Sequence, residues 1–194
     1  MSARVAQAES LLAAFGWELE HCRQVRDLAV MLFDQLQPLH QLGADERDIL
    51  EAAALLHDIG WTVAGQKHHK HSYRLIRENE GKLIGFTTQQ VELIANVARY
   101  HRKSPPSSKH EAFAGLKPDE QQIVRRLAAL LRIADGLDRP HLQQVTELAC
   151  EATGGPVMIR VRATAEPVAH ITGGSRKRGL FEDIFARPVE FAVL

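Results

Sequence analysis

Six side chains able to hold a divalent cation are spread along the sequence: His21, the adjacent pair His57 and Asp58, His71, His101 and Asp135. Most of them prolong a helical stripe of apolar residues. His21 lies four residues before Val25, on the face that continues through Leu28, Ala29, Leu32, Phe33 and Leu36. His57 and Asp58 follow Ile49, Leu50, Ala53 and Leu56; His101 continues Val91, Ile94, Ala95 and Ala98; Asp135 continues Val124, Leu127, Ala128 and Leu131. Taken singly, each reads as a hydrogen-bonded core residue. Six such groups from five segments, all inward and unpaired, would carry a desolvation cost of several kcal/mol, which a divalent cation removes. Imidazole and carboxylate without thiolate suit iron, manganese, zinc or nickel, and a carboxylate such as Asp58 can bridge two ions. One or two transition-metal ions are therefore expected.

Such a centre activates water near neutral pH, and the reaction it suits is hydrolysis of a phosphate ester or anhydride. Asp58 and His57 are the candidate catalytic pair. Cations flank the ligand segments: Lys67 and Lys70 before His71, Arg102 and Lys103 after His101, and Arg139 four residues beyond Asp135. Lys70, Arg102, Lys103 and Arg139 are the candidate substrate-binding residues, against the competing reading of an ordinary solvated face. His68 and His69 rank below His71, as loop histidines next to a ligand. Asp138 either orients a ligand or pairs with Arg139. Trp61 either stacks on a base or plugs the end of the bundle. The triplet Arg176, Lys177 and Arg178 reads as the solvated start of a helix, with a polyphosphate contact as the alternative.

The elements that must position these groups are mostly helical. One helix ends near Pro38, and a second opens at Asp45 and stops at Gly60 after the wholly apolar run Ala52 to Leu56. A short helix is predicted from about His71 to Asn79. Thr87 with Gln90 forms a capping box for the next, which Pro105 and Pro106 close, and Pro118 sits in the first turn of the last long one. Beyond Pro140 the period changes. Val157, Ile159 and Val161 alternate with polar or flexible residues after Gly154 and Gly155, predicting a strand that pairs with one near Val145 to Ala152. A helix from Ser175 to Phe185 and a strand from Val189 to Val193 complete the reading: a mainly α chain, with a helical metal-binding domain over 1–140 and a small α+β subdomain over 141–194.

Composition excludes several classes. The chain has 194 residues, 45% of them hydrophobic and 25% charged, which rules out wholesale disorder. Twenty-four basic and 24 acidic residues balance, so no overall field favours a nucleic acid or anionic membrane, and sequence-specific nucleic-acid binding is not expected. No apolar run approaches the roughly 18 residues of a membrane span. Residues 1–22 lack the pattern of a signal peptide, and Cys22 and Cys150 form no CxxC pair. A cytoplasmic protein with structural thiols is the expectation.

The order His21, His57-Asp58, Asp135 resembles the HD superfamily of metal-dependent phosphohydrolases, and the resemblance implies that these four bind a first metal. His71 and His101 resemble the two further histidines of two-metal HD members. More closely, "AAALLHDIG", "HHKHSYRLI", "GFTTQQVELIANVARYHRK" and "LFEDIF" resemble the C-terminal region of exopolyphosphatases of the Ppx/GppA family, from about His21 to Leu194. The fold implied is an HD-type helical bundle with a small C-terminal α+β element. The activity implied is hydrolysis of a phosphoanhydride or phosphoester, with a small nucleotide the first expectation for the substrate. In exopolyphosphatases terminal phosphates are removed in an N-terminal actin-like region, for which this chain has no room. The alternative is therefore a non-catalytic module that binds polyphosphate or a partner chain. A (p)ppGpp hydrolase ranks third, because that family's additional Glu-Asp pair has no counterpart at a matching place. Dimerisation of exopolyphosphatases makes a homodimer the expected assembly.

Overall fold

The computed structural model describes all 194 residues. Ten helices run in chain order: α1 (Ala3–Phe15), α2 (Leu19–Gln35), the single turn α3 (Gln37–His40), α4 (Ala44–Leu56), α5 (His68–Glu78), α6 (Thr88–Arg99), the single turn α7 (Glu111–Ala114), α8 (Pro118–Leu137), α9 (Val168–Lys177) and α10 (Gly179–Phe185). Strands β1 (Val145–Glu151) and β2 (Val157–Ala163) precede α9, and β3 (Val189–Val193) follows α10. The protein is mainly α with one small sheet. No helix is long and apolar enough to cross a membrane.

Helix α4 is the centre of the bundle. Its residues Ala52 to Leu56 are fully buried, as an apolar run without a polar face requires. α2, α6, α8 and α1 pack around it. Gly43 N–H donates to Glu46 at its start, while Thr87 and Gln90 bond each other's backbone N–H groups and fix the start of α6. One contiguous hydrophobic cluster extends from Val5 in α1 to Val189 in β3, so the sheet shares the core of the bundle.

The sheet runs β1-β2-β3, with β1 and β2 antiparallel and β2 and β3 parallel, Val157 facing Val189 and Ile159 facing Phe191. α9 and α10 make the crossover that a parallel pair needs. The edge of β1 is covered by two glutamines of α2: Gln24 donates to the Val145 carbonyl at 2.6 Å, and Gln35 donates to Leu148 and accepts from Cys150 N–H, each at 2.8 Å. α8 and α9 cross at Gly136 and Gly173. A Cβ on either would meet the other's backbone, so only glycine at both positions allows this approach, and the approach carries Lys177 to the end of α8.

Several elements differ from the sequence reading. α4 is capped by Gly43, with Asp45 inside its first turn, and it ends at Leu56, because residues 59–62 tighten into a 3-10 turn before Gly60 can close the helix. α5 begins at His68, one turn before the expected His71, because its buried face is His68, Ser72 and Ile76 at a spacing of four. The expected helix from Ser175 to Phe185 starts at Val168 and is interrupted at Arg178. α2 stops before Pro38, which sits in the first turn of α3. α1 was not anticipated: its apolar face, Val5, Ala8, Leu11 and Leu12, is short and diluted by alanines on every side.

Candidate metal centre

Four histidines meet at one end of the bundle, and the same local device orients three of them. His57, just past the end of α4, donates its Nδ1–H to the Ala54 carbonyl at 2.7 Å, and His101, just past α6, donates to the Ala98 carbonyl at 2.7 Å. His68, at the first turn of α5, directs Nδ1 to the Gly65 carbonyl at 3.2 Å. Each ring thereby satisfies a carbonyl three residues earlier, two of them belonging to helix ends, and turns Nε2 toward the site; His57 Nε2 has no partner there, whereas His68 Nε2 has the Arg102 guanidinium at 3.0 Å. His21 reaches the same tautomer through a carboxylate, donating Nδ1–H to Asp138 Oδ2 at 2.8 Å. Asp138 is fully buried and also accepts from Gln143 N–H at 2.9 Å, which holds its orientation.

The Nε2 atoms form two groups with Asp58 between them. His21 Nε2 and His57 Nε2 lie 3.8 and 3.9 Å from Asp135 Oδ1, and His57 Nε2 lies 3.8 Å from Asp58 Oδ2. On the other side, His68 Nε2 and His101 Nε2 lie 3.2 and 3.4 Å from Asp58 Oδ1. His21, His57 and Asp135 form one donor set able to hold a metal ion; Asp58, His68 and His101 form a second. His21 Nε2, His57 Nε2 and Asp58 Oδ1 are buried and have no hydrogen-bond partner. Three orphaned acceptors converging in one place are what a cation would satisfy, so the residues fit a divalent metal.

The electrostatics agree with that fit. Burial pushes the His101 imidazole down to about 3 and lowers that of His57, so both present neutral nitrogens. Burial alone would raise the carboxyls of Asp135 and Asp58. The Lys177 ammonium, then His101 and His57, hold Asp135 down to about 2, and the imidazoles of His57, His68 and His101 hold Asp58 well below the usual carboxylate range. His21 moves upward, because Asp138, Asp135 and Asp58 outweigh its burial. Neutral His57 and His101 beside ionised Asp58 and Asp135 are in the protonation state that metal ligation requires, whereas His21 would give up a proton on binding.

The two donor sets open into a cavity of about 500 Å³ whose wall also carries Arg102, Lys103, Arg139, Lys177 and His141. Of the six ligands expected from the sequence, His21, His57, Asp58, His101 and Asp135 meet here. His71 does not: it is half-buried on the flank of α5 and belongs to neither donor set, and His68 stands where it was expected. Counting back from Ile76 in steps of four, to Ser72 and His68, was the signal that could have found it. Of the expected substrate-binding cations, Arg102, Lys103 and Arg139 line the cavity, while Lys70 lies outside it, exposed, beside a separate cavity.

His141 is a site residue that the sequence reading missed, and Lys177, read first as part of the solvated start of a helix, follows the alternative in facing the site. Lys177 donates to Asp135 Oδ2 at 2.7 Å and to the His101 carbonyl at 3.3 Å. His141 stacks on His21 with ring centroids 3.7 Å apart. Neither lies on a periodic apolar face, so nothing in the spacing marks them. Arg132 braces the rim, donating to the Tyr100 and Lys103 carbonyls at 3.1 and 2.8 Å.

Trp61 is the one apolar residue lining the cavity, but its ring already has two stacking neighbours: Trp17 at 5.8 Å and His68 at 4.5 Å between centroids. Its role here is to hold the His68 ring, which stacks in turn on His101 at 5.4 Å. Both tryptophans of the chain belong to this stack. Titrating Mn²⁺ into chelator-treated protein is therefore expected to give a saturable change in tryptophan fluorescence, and Trp61→Phe to lose most of it. A flat titration of the wild type would break the link between the stack and the metal site.

The family profile described as "Ppx/GppA phosphatase, domain III" matches residues 3–166. Curated relatives carry the name guanosine-5'-triphosphate,3'-diphosphate pyrophosphatase. That of Aeromonas hydrophila subsp. hydrophila is 37% identical over 136 residues, which is 68% of this chain and 26% of the relative. That of Aeromonas salmonicida is 35% identical over the same length, with the same coverage. That of Pseudoalteromonas atlantica is 30% identical over 123 residues, 62% of this chain and 23% of the relative. The chain thus spans about a quarter of the length of the relatives it matches.

Proposed function

The chain belongs to the Ppx/GppA phosphatase family, matching its domain III, and from that premise we propose that it is a metal-dependent phosphohydrolase of HD type acting on a phosphoanhydride or phosphoester bond in a nucleotide. The observation that carries this reading is the pair of adjacent donor sets, His21-His57-Asp135 and Asp58-His68-His101, with Asp58 Oδ2 3.8 Å from His57 Nε2 and three buried polar atoms that no protein group satisfies. His21, His57, Asp58 and Asp135 would hold one ion, and Asp58, His68 and His101 the other. Iron, manganese, zinc or nickel suits these donors. Bound there, divalent ions supply Lewis-acid charge and a water activated at neutral pH.

The chain's own residues do the rest. Arg102, Lys103 and Arg139 bind phosphate oxygens at the rim, and Lys177 brings a further positive charge against Asp135 at the floor. The helical part, 1–140, furnishes every proposed ligand, and 141–194 furnishes Lys177 and His141. The printed names of the Aeromonas relatives, nucleotide pyrophosphatases, support a nucleotide phosphoanhydride. A second reading, a module that binds polyphosphate without cleaving it, is favoured by the same rim of cations on a chain spanning a quarter of those relatives.

Metal content tests the assignment directly. Protein prepared with supplemented iron and manganese is expected to carry one or two ions per chain. Asp58→Ala is expected to lose more of them than His101→Ala, because Asp58 faces both donor sets and His101 only one. Equal losses remove the bridging assignment, and a metal-free wild type removes the centre.

A further inference from the structure

We propose that a second cavity, sharing a wall with the metal centre, is a binding site for a single phosphate group. It measures about 90 Å³ and is lined by His69, Lys70, Arg99, Tyr100, Ser104 and His110. At roughly 30 Å³ per water it has room for about three waters, or for one tetrahedral oxyanion. Residues adjacent in sequence line the two cavities: His68 faces the metal centre and His69 the second cavity, and the pairs His101 and Tyr100, and Lys103 and Ser104, divide in the same way.

Three features mark it as an anion site. The first is unpaired charge. Lys70 and Arg99 form no ion pair; the neighbouring Glu92 carboxylate is taken by Arg77 at 2.8 Å and by the Tyr73 hydroxyl at 2.7 Å. The Arg99 guanidinium is held only by the rings of Tyr73 and Tyr100, at 5.7 and 5.5 Å. In a chain with equal numbers of acidic and basic residues, that pairing was available and is not made.

The second is a buried polar atom without a partner. His69 is 9% exposed, lines the cavity, and leaves Nδ1 with no hydrogen bond. The third is the start of α5. Its cap, Lys67, provides no side-chain acceptor, and the first N–H groups of the helix, those of His68 and His69, have no backbone partner. A dianion answers the first two at once: it pairs with Lys70 and Arg99, accepts from the Ser104 hydroxyl, and accepts an N–H from the His69 ring.

The cavity adjoins an outer one of about 550 Å³ that shares Arg99 and His110 and adds Tyr73, Lys109 and Glu111. The phosphate is therefore either free or the end of a larger molecule whose remainder lies in the outer cavity. Inorganic phosphate and AMP separate these sources. Each is titrated into chelator-treated protein by calorimetry, with the histidine-ring NMR signals followed on the same samples. Saturable binding is expected to shift the His69 and His110 signals. Lys70→Met and Arg99→Met are each expected to weaken it roughly tenfold, the loss of one charge-assisted hydrogen bond, and Arg162→Ala, on the sheet and in neither cavity, to leave it unchanged. Tighter binding of AMP assigns the site to a phosphate group of a larger ligand, and equal binding assigns it to free phosphate. Lys70 is exposed, so its variant keeps the test valid if Arg99→Met melts early. The proposal is overturned if neither probe shifts the two rings, or if Arg162→Ala weakens binding and Lys70→Met does not. Neither outcome depends on whether the metal centre hydrolyses anything.

Discussion

Asp58→Asn is expected to abolish turnover while leaving the fold intact. The amide keeps the shape of the carboxylate but loses the charge that faces both donor sets, His57 from Oδ2 and His68 and His101 from Oδ1. Metal charge is worth several kcal/mol to a phosphoryl-transfer reaction, and roughly 4 kcal/mol corresponds to a thousandfold in rate. A loss of that order in kcat is the expected result, with metal content reduced in parallel. The metal-free variant should still unfold cooperatively but melt below metal-free wild type, because the imidazoles that hold Asp58 ionised in the folded protein lose that partner. Lys103→Ala should behave differently, raising KM with metal content unchanged, since Lys103 lines the rim and touches neither donor set.

Gly60→Ala is expected to destabilise the fold strongly. The turn after α4 and the first turns of α5 meet at this glycine, where an added Cβ would meet the His68 carbonyl, Ser72 N at 2.5 Å and Ser72 Oγ at 2.8 Å. Two of these are backbone atoms and cannot rotate aside. Ser72 is the fastener of this contact: its hydroxyl donates to the His57 carbonyl at 2.6 Å and accepts from Gly60 N–H at 2.9 Å, in full burial. Prying the two segments apart therefore overpacks the core and opens a buried hydrogen-bonded pair, for a loss of roughly 3 kcal/mol or more. The displaced residue is His68, so affinity for the second ion should fall by roughly 10–100-fold. Chemical denaturation of metal-free protein reads the first effect and metal titration the second. Wild-type stability in Gly60→Ala would mean that α5 does not pack here as described.

These two residues also show how far the sequence could be read. Asp58 was legible because it ends a helix whose burial follows from an unbroken apolar run, and His21, His101 and Asp135 were legible because apolar spacing sets the direction of a helical side chain. His71 was taken for His68 because Leu75 and Ile76 were the only apolar marks on α5, and its inward face is largely polar: His68, Ser72 and Ile76. His141 was not legible, and Lys177 was legible only as one of a basic triplet whose first reading was a solvated face. Lys177 reaches Asp135 because two glycines far apart in sequence, Gly136 and Gly173, let two helices touch. His141 stacks on His21 from a turn with left-handed backbone at φ 55°, which no pattern of residue types announces. Periodicity reports which way a residue faces within its own element; it carries nothing about which other element lies opposite.

The proposed function places hydrolysis of phosphate compounds at the centre built around Asp58. Phosphate release from nucleotides, dinucleoside polyphosphates and inorganic polyphosphate by wild type, chelator-treated wild type, metal-reloaded wild type and Asp58→Asn tests it most directly. Release by the wild type from at least one nucleotide, lost on chelation, restored on reloading and absent in Asp58→Asn, is the predicted result. Metal-loaded wild type that releases phosphate from none of them, or release that survives both chelation and Asp58→Asn, would contradict it.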